Sequence, residues 1–212
     1  MSATASPQQQ DLPVIWPAPL QPGDLVAVVA PASPVAPELF AAGAAVLADW
    51  GLRLHYGPEI FAPRPYRLEA DVQAGRFFQE ALTAPQVRGI ICARGGYGAI
   101  RLLERLDPLL LLRNPKYIMG FSDITNLLGL LTARTGVVTL HGPTVAHLGE
   151  VTPPAREQCR RMLMAPAPDL VAFKDLQVLV PGTARGRLAG GNLTTLCHLL
   201  GTPYAPFLAG RV

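Results

Sequence analysis

Residues 25–30 read Leu-Val-Ala-Val-Val-Ala, six consecutive positions without a polar side chain. A strand with one face in water alternates apolar and polar residues. An unbroken run of β-branched and small apolar residues instead suits a strand covered on both faces, as in the interior of a parallel sheet. Neighbouring parallel strands need crossovers, so the remainder of the chain should alternate short apolar runs with helical stretches.

It does. Pro37 fits a first helical turn, and Leu39, Phe40, Ala44, Val46 and Leu47 form a helical stripe ending at Gly51. Leu52 to Tyr56 reads as a second strand, Gly57 to Arg67 as a proline-containing loop and Arg67 to Thr83 as a helix. Val87 to Ala93 is the third strand, followed by the turn Arg94 to Gly98 and helical residues from Ala99 to Leu106. After a loop with Pro108 and Pro115 come a strand at Tyr117 to Met119 and a corner at Ser122. A helix with Leu127, Leu128, Leu130 and Leu131 then runs to Gly136, before a fifth strand at Val137 to Leu140. This pattern predicts an α/β fold with an open, doubly wound, mostly parallel sheet.

The expected organisation has four parts: a leader arm over 1–22, lying on the surface or disordered, an α/β domain over 23–150, a connector over 151–185, and the start of a further domain over 186–212. The 212 residues are half hydrophobic, enough for one sizeable core. The net charge of +3 comes from scattered Arg with no basic run interleaved with aromatics, so nucleic acid is not an expected partner. No apolar stretch approaches the roughly 20 residues that cross a bilayer, and the first 22 residues lack a basic start and an apolar h-region. No membrane association is expected, and the default location is cytoplasmic. Three well-separated cysteines, Cys92, Cys159 and Cys197, suggest neither disulfides nor a metal site, and no cofactor is implied.

Four loops fall at the carboxyl ends of expected strands: Pro31-Ala32-Ser33, Arg94 to Gly98, Ser122-Asp123 and His141-Gly142. Ligands of open α/β sheets collect on that rim. Ser122 at a strand-to-helix corner could be a nucleophile, but Ser is also a preferred N-cap, so the corner alone leaves both roles open. The Arg94 to Gly98 turn could cradle a phosphate as part of a nucleotide-binding module, yet it matches neither G-x-G-x-x-G nor a Walker loop, and a tight turn without a ligand fits as well.

Several stretches taken together resemble the LD-carboxypeptidase family, serine peptidases of murein recycling, and the related microcin-immunity hydrolases. They are PGDLVAVVAPAS (22–33), ARGGYGAIRLLERLD (93–107), NPKYIMGFSDIT (114–125), HGP (141–143) and GRLAGGNLTTLCHLLGTP (186–203). The resemblance implies a Ser-His-Glu triad with Ser122 as nucleophile, and an oxyanion hole formed by the backbone N–H groups of Gly96 and Asp123. The implied substrate is murein tetrapeptide, cut between a diamino acid and its terminal D-alanine without a cofactor. The immunity hydrolases instead take acyl-aminonucleotides. In the family the Glu and His lie downstream of the GGN helix, and His141, His147 and His198 match neither position. The 212 residues are therefore expected to be a partial form, inactive alone and prone to aggregate or form a homodimer.

Overall fold

The computed structural model describes residues 12–63, 68–166, 171, 176–206 and 208–212. Five strands, β1 (Leu25–Val29), β2 (Arg53–His55), β3 (Val87–Cys92), β4 (Tyr117–Gly120) and β5 (Leu140–His141), form one sheet in the order β2-β1-β3-β4-β5. Every pairing is parallel. The helices are α1 (Pro37–Asp49), α2 (Leu68–Thr83), α3 (Leu110–Arg113), α4 (Thr125–Thr135), α5 (Val145–Leu148), α6 (Pro153–Met164) and α7 (Leu193–Leu199).

The run at 25–30 is explained by what lies on either side of it. Ala27 and Val29, with Ile90, Cys92 and Ile118, pack on one face against Phe78, Leu82, Leu102, Leu127 and Leu131. Val26 and Val28, with Ile91 and Met119, pack on the other against Phe40, Leu47, Val145 and Leu163. Successive side chains of a strand point to opposite faces, so a strand between two helical layers has no polar position left. Each fully buried Val, Leu or Ile contributes roughly 1.5–3 kcal/mol.

The elements depart from expectation where tertiary partners intervene. The helix expected over 99–106 is a 3₁₀ turn at Ala99–Leu102, because its first N–H is held by a side chain from another loop. The expected loop around Pro108 and Pro115 contains α3, and α5 follows the HGP turn. The fifth strand is Leu140–His141, not Val137 to Leu140. Val137 makes an isolated parallel bridge with Ile15, whose backbone bonds Gly136 O and Val138 N, both at 2.9 Å.

This bridge bears on the leader as well. Residues 1–11 lie outside the described residues, but from Leu12 onward the arm is ordered against the body: Leu20 is 1% exposed and donates its N–H to Leu163 O in α6. The helix α6, expected within a connector, adds Leu163 to the second core, while Leu199 of α7 enters the first. No described helix is long and apolar enough to cross a membrane.

Lys116 is 1% exposed, and its Nζ donates to Ala81 O and Ala84 O, each at 3.0 Å, at the carboxyl end of α2. A cation suits the free carbonyls and negative dipole end of a helix. Burial, with the Arg88 charge as a lesser cause, pulls its pKa down to about 8. Between pH 8 and the usual lysine value of about 10.4, the unfolded chain therefore binds more protons than the folded one, so this group makes stability rise with pH there. In Lys116→Met the two carbonyls lose their donor. Urea unfolding should show a loss of about 1–3 kcal/mol at pH 7 and a weaker rise in stability from pH 8 to 10.

Candidate active site

After β4 the chain makes a sharp corner. Phe121 is extended, and Ser122 has φ 61°, the one positive φ among described non-glycine residues. A left-handed conformation costs a residue with a Cβ roughly 1–2 kcal/mol. A 3₁₀ turn, Ser122–Ile124, then leads into α4, and neither start carries a side-chain cap hydrogen bond. Ser122 is therefore not serving as an N-cap. Its strained backbone presents a half-buried side chain at the carboxyl edge of the sheet.

The glycine turn after β3 lies against this corner. A methyl group at Gly95 would sit 3.0 Å from Ser122 Cβ and 3.4 Å from its Oγ, so only glycine leaves the hydroxyl unobstructed. At Gly96, with φ 113°, the place of a Cβ is filled by the Ser33 hydroxyl. That hydroxyl accepts the Tyr97 N–H at 3.1 Å. Ser33 follows β1 and the glycines follow β3, and between β1 and β3 the strand order reverses direction. That crevice is the usual ligand site of such sheets.

Asp123 ties the two loops together. It is buried, and Oδ2 accepts the Ala99 N–H at 2.8 Å while Oδ1 accepts from Asn126 Nδ2 at 2.9 Å. Burial pushes its pKa up, opposed by hydrogen bonds from the Ala99 and Gly98 N–H groups, the Arg101 charge and the Asn126 bond. Tyr97, Gly98 and Ala99 thus donate their N–H groups to side chains of neighbouring loops. Among the described residues the N–H groups of Gly96 and Asp123 have no hydrogen-bond partner. Behind the turn, Arg101 bonds Asp71 of α2 through Nε at 2.7 Å and Nη2 at 3.0 Å, with its guanidinium 5.6 Å from the Tyr97 ring centroid.

The GGN segment reaches the same corner. Gly191, with φ 146°, packs against the Thr125 side chain where a Cβ would collide, and Asn192 N–H donates to Thr125 Oγ1 at 3.1 Å. Asn192 also caps α7, its Oδ1 accepting the Thr195 N–H. His141 and His147 both meet the Phe121 ring edge-on, with centroids 6.4 and 4.8 Å away, and His147 Nδ1 pairs with Thr144 Oγ1 at 2.9 Å. Burial lowers the pKa of His141. His198 is exposed on α7. Among the described residues no three His, Cys, Asp or Glu side chains cluster as a metal site.

The sequence indicated the rim and the Ser122 corner, but not Ser33 as the support of Tyr97, the inward role of the Asp123 carboxylate, or the contact of Gly191 with Thr125. Ser33 and Asp123 lie 64 and 24 residues from the N–H groups they hold, so no local pattern announces them.

A left-handed serine at a strand-to-helix corner with a glycine turn packed against it is a geometry shared with sites of acyl transfer. Residues 26–142 match the LD-carboxypeptidase N-terminal domain, more than half of the chain. The chain belongs to the LD-carboxypeptidase family. It is 40% identical over 197 residues to the SCO6489 protein of Streptomyces coelicolor, covering 91% of this chain and 64% of that one. It is 33% identical over 186 residues to the murein tetrapeptide carboxypeptidase of Pseudomonas aeruginosa, covering 84% and 60%. The crystal structure of an MccF-like protein from Bacillus anthracis superimposes with a TM-score of 0.79 at 25% identity, covering 93% of this chain and 68% of that one. The chain thus spans less than two thirds of the length of these two sequence relatives.

In Asp123→Asn the new amide must turn its N–H₂ toward either the Ala99 N–H or Asn126 Nδ2, donor against donor. We expect a loss of about 1–3 kcal/mol in urea unfolding. Amide exchange at Ala99 should also become faster, without a comparable change in β1.

Proposed function

We propose that this chain carries the nucleophile and oxyanion hole of a serine peptidase of LD-carboxypeptidase type. The substrate on this reading is murein tetrapeptide, cut between the L-centre of the diamino acid and the terminal D-alanine. The observation that carries the reading is the φ of 61° at Ser122, a strained corner with its side chain against Gly95. The relationship to the Pseudomonas aeruginosa murein tetrapeptide carboxypeptidase supports the substrate class.

Ser122 Oγ attacks the diamino acid carbonyl, and the oxygen that becomes negative is received by the Gly96 and Asp123 N–H groups. These donors are already held in place, so they stabilise the tetrahedral intermediate without reorganising. As the C–N bond breaks, collapse expels D-alanine, whose nitrogen takes up, by way of the base, the proton that Ser122 Oγ gave up. The acyl group stays on Ser122 until water attacks the ester and restores the hydroxyl. A neutral serine hydroxyl is a weak nucleophile and needs a base oriented by a carboxylate. The family resemblance assigns that His and Glu to the part of the relatives beyond the region matched here. Without a base, an oxyanion hole and substrate binding leave an acceleration on the order of 10³ over water.

The microcin-immunity branch is the second reading, favoured by the likeness to the MccF-like structure. It shares the Ser122 chemistry and differs in substrate. One assay separates the readings. The 212 residues, and the same residues followed by the C-terminal part of the Streptomyces coelicolor relative, are offered murein tetrapeptide and an aminoacyl-sulfamoyl adenosine. We expect D-alanine release by the extended form, at least 10³-fold slower release by the 212 residues, and loss of turnover in Ser122→Ala. Turnover that survives Ser122→Ala would overturn the peptidase reading, and cleavage of the nucleotide alone would move the protein to the immunity branch.

A further inference from the structure

A carboxypeptidase that removes one residue must distinguish a free terminal carboxylate from a peptide that continues. The surest device is a cation placed about one residue's length from the nucleophile, since a residue spans roughly 3.3–3.6 Å. The rim of this sheet offers a suitable group. Arg94 follows the end of β3 and immediately precedes Gly95, the residue in contact with Ser122. It is exposed, and its one hydrogen bond among the described residues runs from Nη1 to Pro34 O at 3.5 Å, the outer limit of such a bond. Pro34 adjoins Ser33, so the guanidinium reaches from the β3 loop to the β1 loop beside it.

Two other charged side chains described around the corner, Arg101 and Asp123, are already committed. Arg101 is held by two bonds to Asp71 and lies against the Tyr97 ring. The Asp123 carboxylate faces inward onto Ala99 and Asn126. Among the described residues Arg94 combines adjacency to the Ser122 contact, exposure and a weak internal bond. Its planar donors match a carboxylate in bidentate geometry, which the ammonium of a lysine does not.

We propose that Arg94 binds the terminal carboxylate of the substrate and so makes the site specific for the last residue of a peptide. This rests on the serine-peptidase reading of Ser122 and adds to it the group that selects an exopeptidase substrate. The role is one of binding, so loss of Arg94 should weaken recognition of acids and leave the affinity for amides as it was.

The test measures calorimetric affinity of murein tetrapeptide and of its C-terminal amide for Ser122→Ala, which cannot turn them over. The same measurements are made on Ser122→Ala combined with Arg94→Gln or Arg94→Lys. The acid should bind about 10- to 100-fold more tightly than the amide, the range of charge-assisted hydrogen bonds. Arg94→Gln should abolish that preference, and Arg94→Lys should keep part of it. Arg94 is exposed, so a thermal midpoint unchanged by Arg94→Gln would establish that the variant is folded. Equal affinity for acid and amide, no binding of either, or a preference that survives Arg94→Gln would each overturn the proposal. Ser122-dependent cleavage with no Arg94 effect overturns the carboxylate site alone. An Arg94-dependent preference without Ser122-dependent cleavage overturns the peptidase reading and leaves the carboxylate site standing.

Discussion

The buried carboxylate of Asp123 is the constraint on which the rest of the site depends. It belongs to the corner after β4, yet its oxygens are spent on N–H groups of the turn after β3 and on Asn126 at the start of α4. Burying a carboxylate is costly, and burial raises its pKa, so the arrangement persists only because several donors converge on it. One side chain thereby ties together the two loops that flank Ser122. The Ser33 hydroxyl does the same from the β1 side through Tyr97. Between these two holds, Gly96 keeps an N–H that no described residue accepts.

The strain at Ser122 makes sense only within this frame. A residue with a Cβ in the left-handed region would relax to an ordinary helical start if the turn beneath it could move. It cannot, because Gly120 is pressed against Ile124, where even a methyl group would fall 2.8 Å from Cγ2. The Asp123 carboxylate holds the following residue as well. Rigidity supplied by packing on both faces of the sheet is thus converted into a fixed direction for one hydroxyl, the kind of preorganisation that acyl transfer requires.

Charge is handled by the same logic elsewhere. Lys116 and Asp71 are both buried and both paired: Lys116 with the last carbonyls of α2, and Asp71 with Arg101 behind the glycine turn. Each links an element to the next in space and not in sequence. The GGN segment closes the set, docking on Thr125 so that the helix carrying the corner is covered at its N-terminal end.

Much of this architecture was legible in the chain itself. A β-branched apolar run such as 25–30 suits a strand covered on both sides, and the alternation of strands and helical stripes admits few topologies, because parallel neighbours demand crossovers. The rim loops follow from the ends of those strands, and the Ser122 corner from the glycine and serine between strand and helix. Other features depended on partners distant in sequence. Ile15 takes the backbone groups around Val137 and so displaces β5, Ala99 gives its N–H to a carboxylate 24 residues away and starts no α-helix, and Leu20 anchors an arm whose composition suggested disorder. Local pattern determines which segments are strands and helices, because period and burial are written residue by residue. Which hydroxyl, carboxylate and N–H groups come together is decided by the tertiary structure, because hydrogen bonds between loops depend on where the sheet carries their ends.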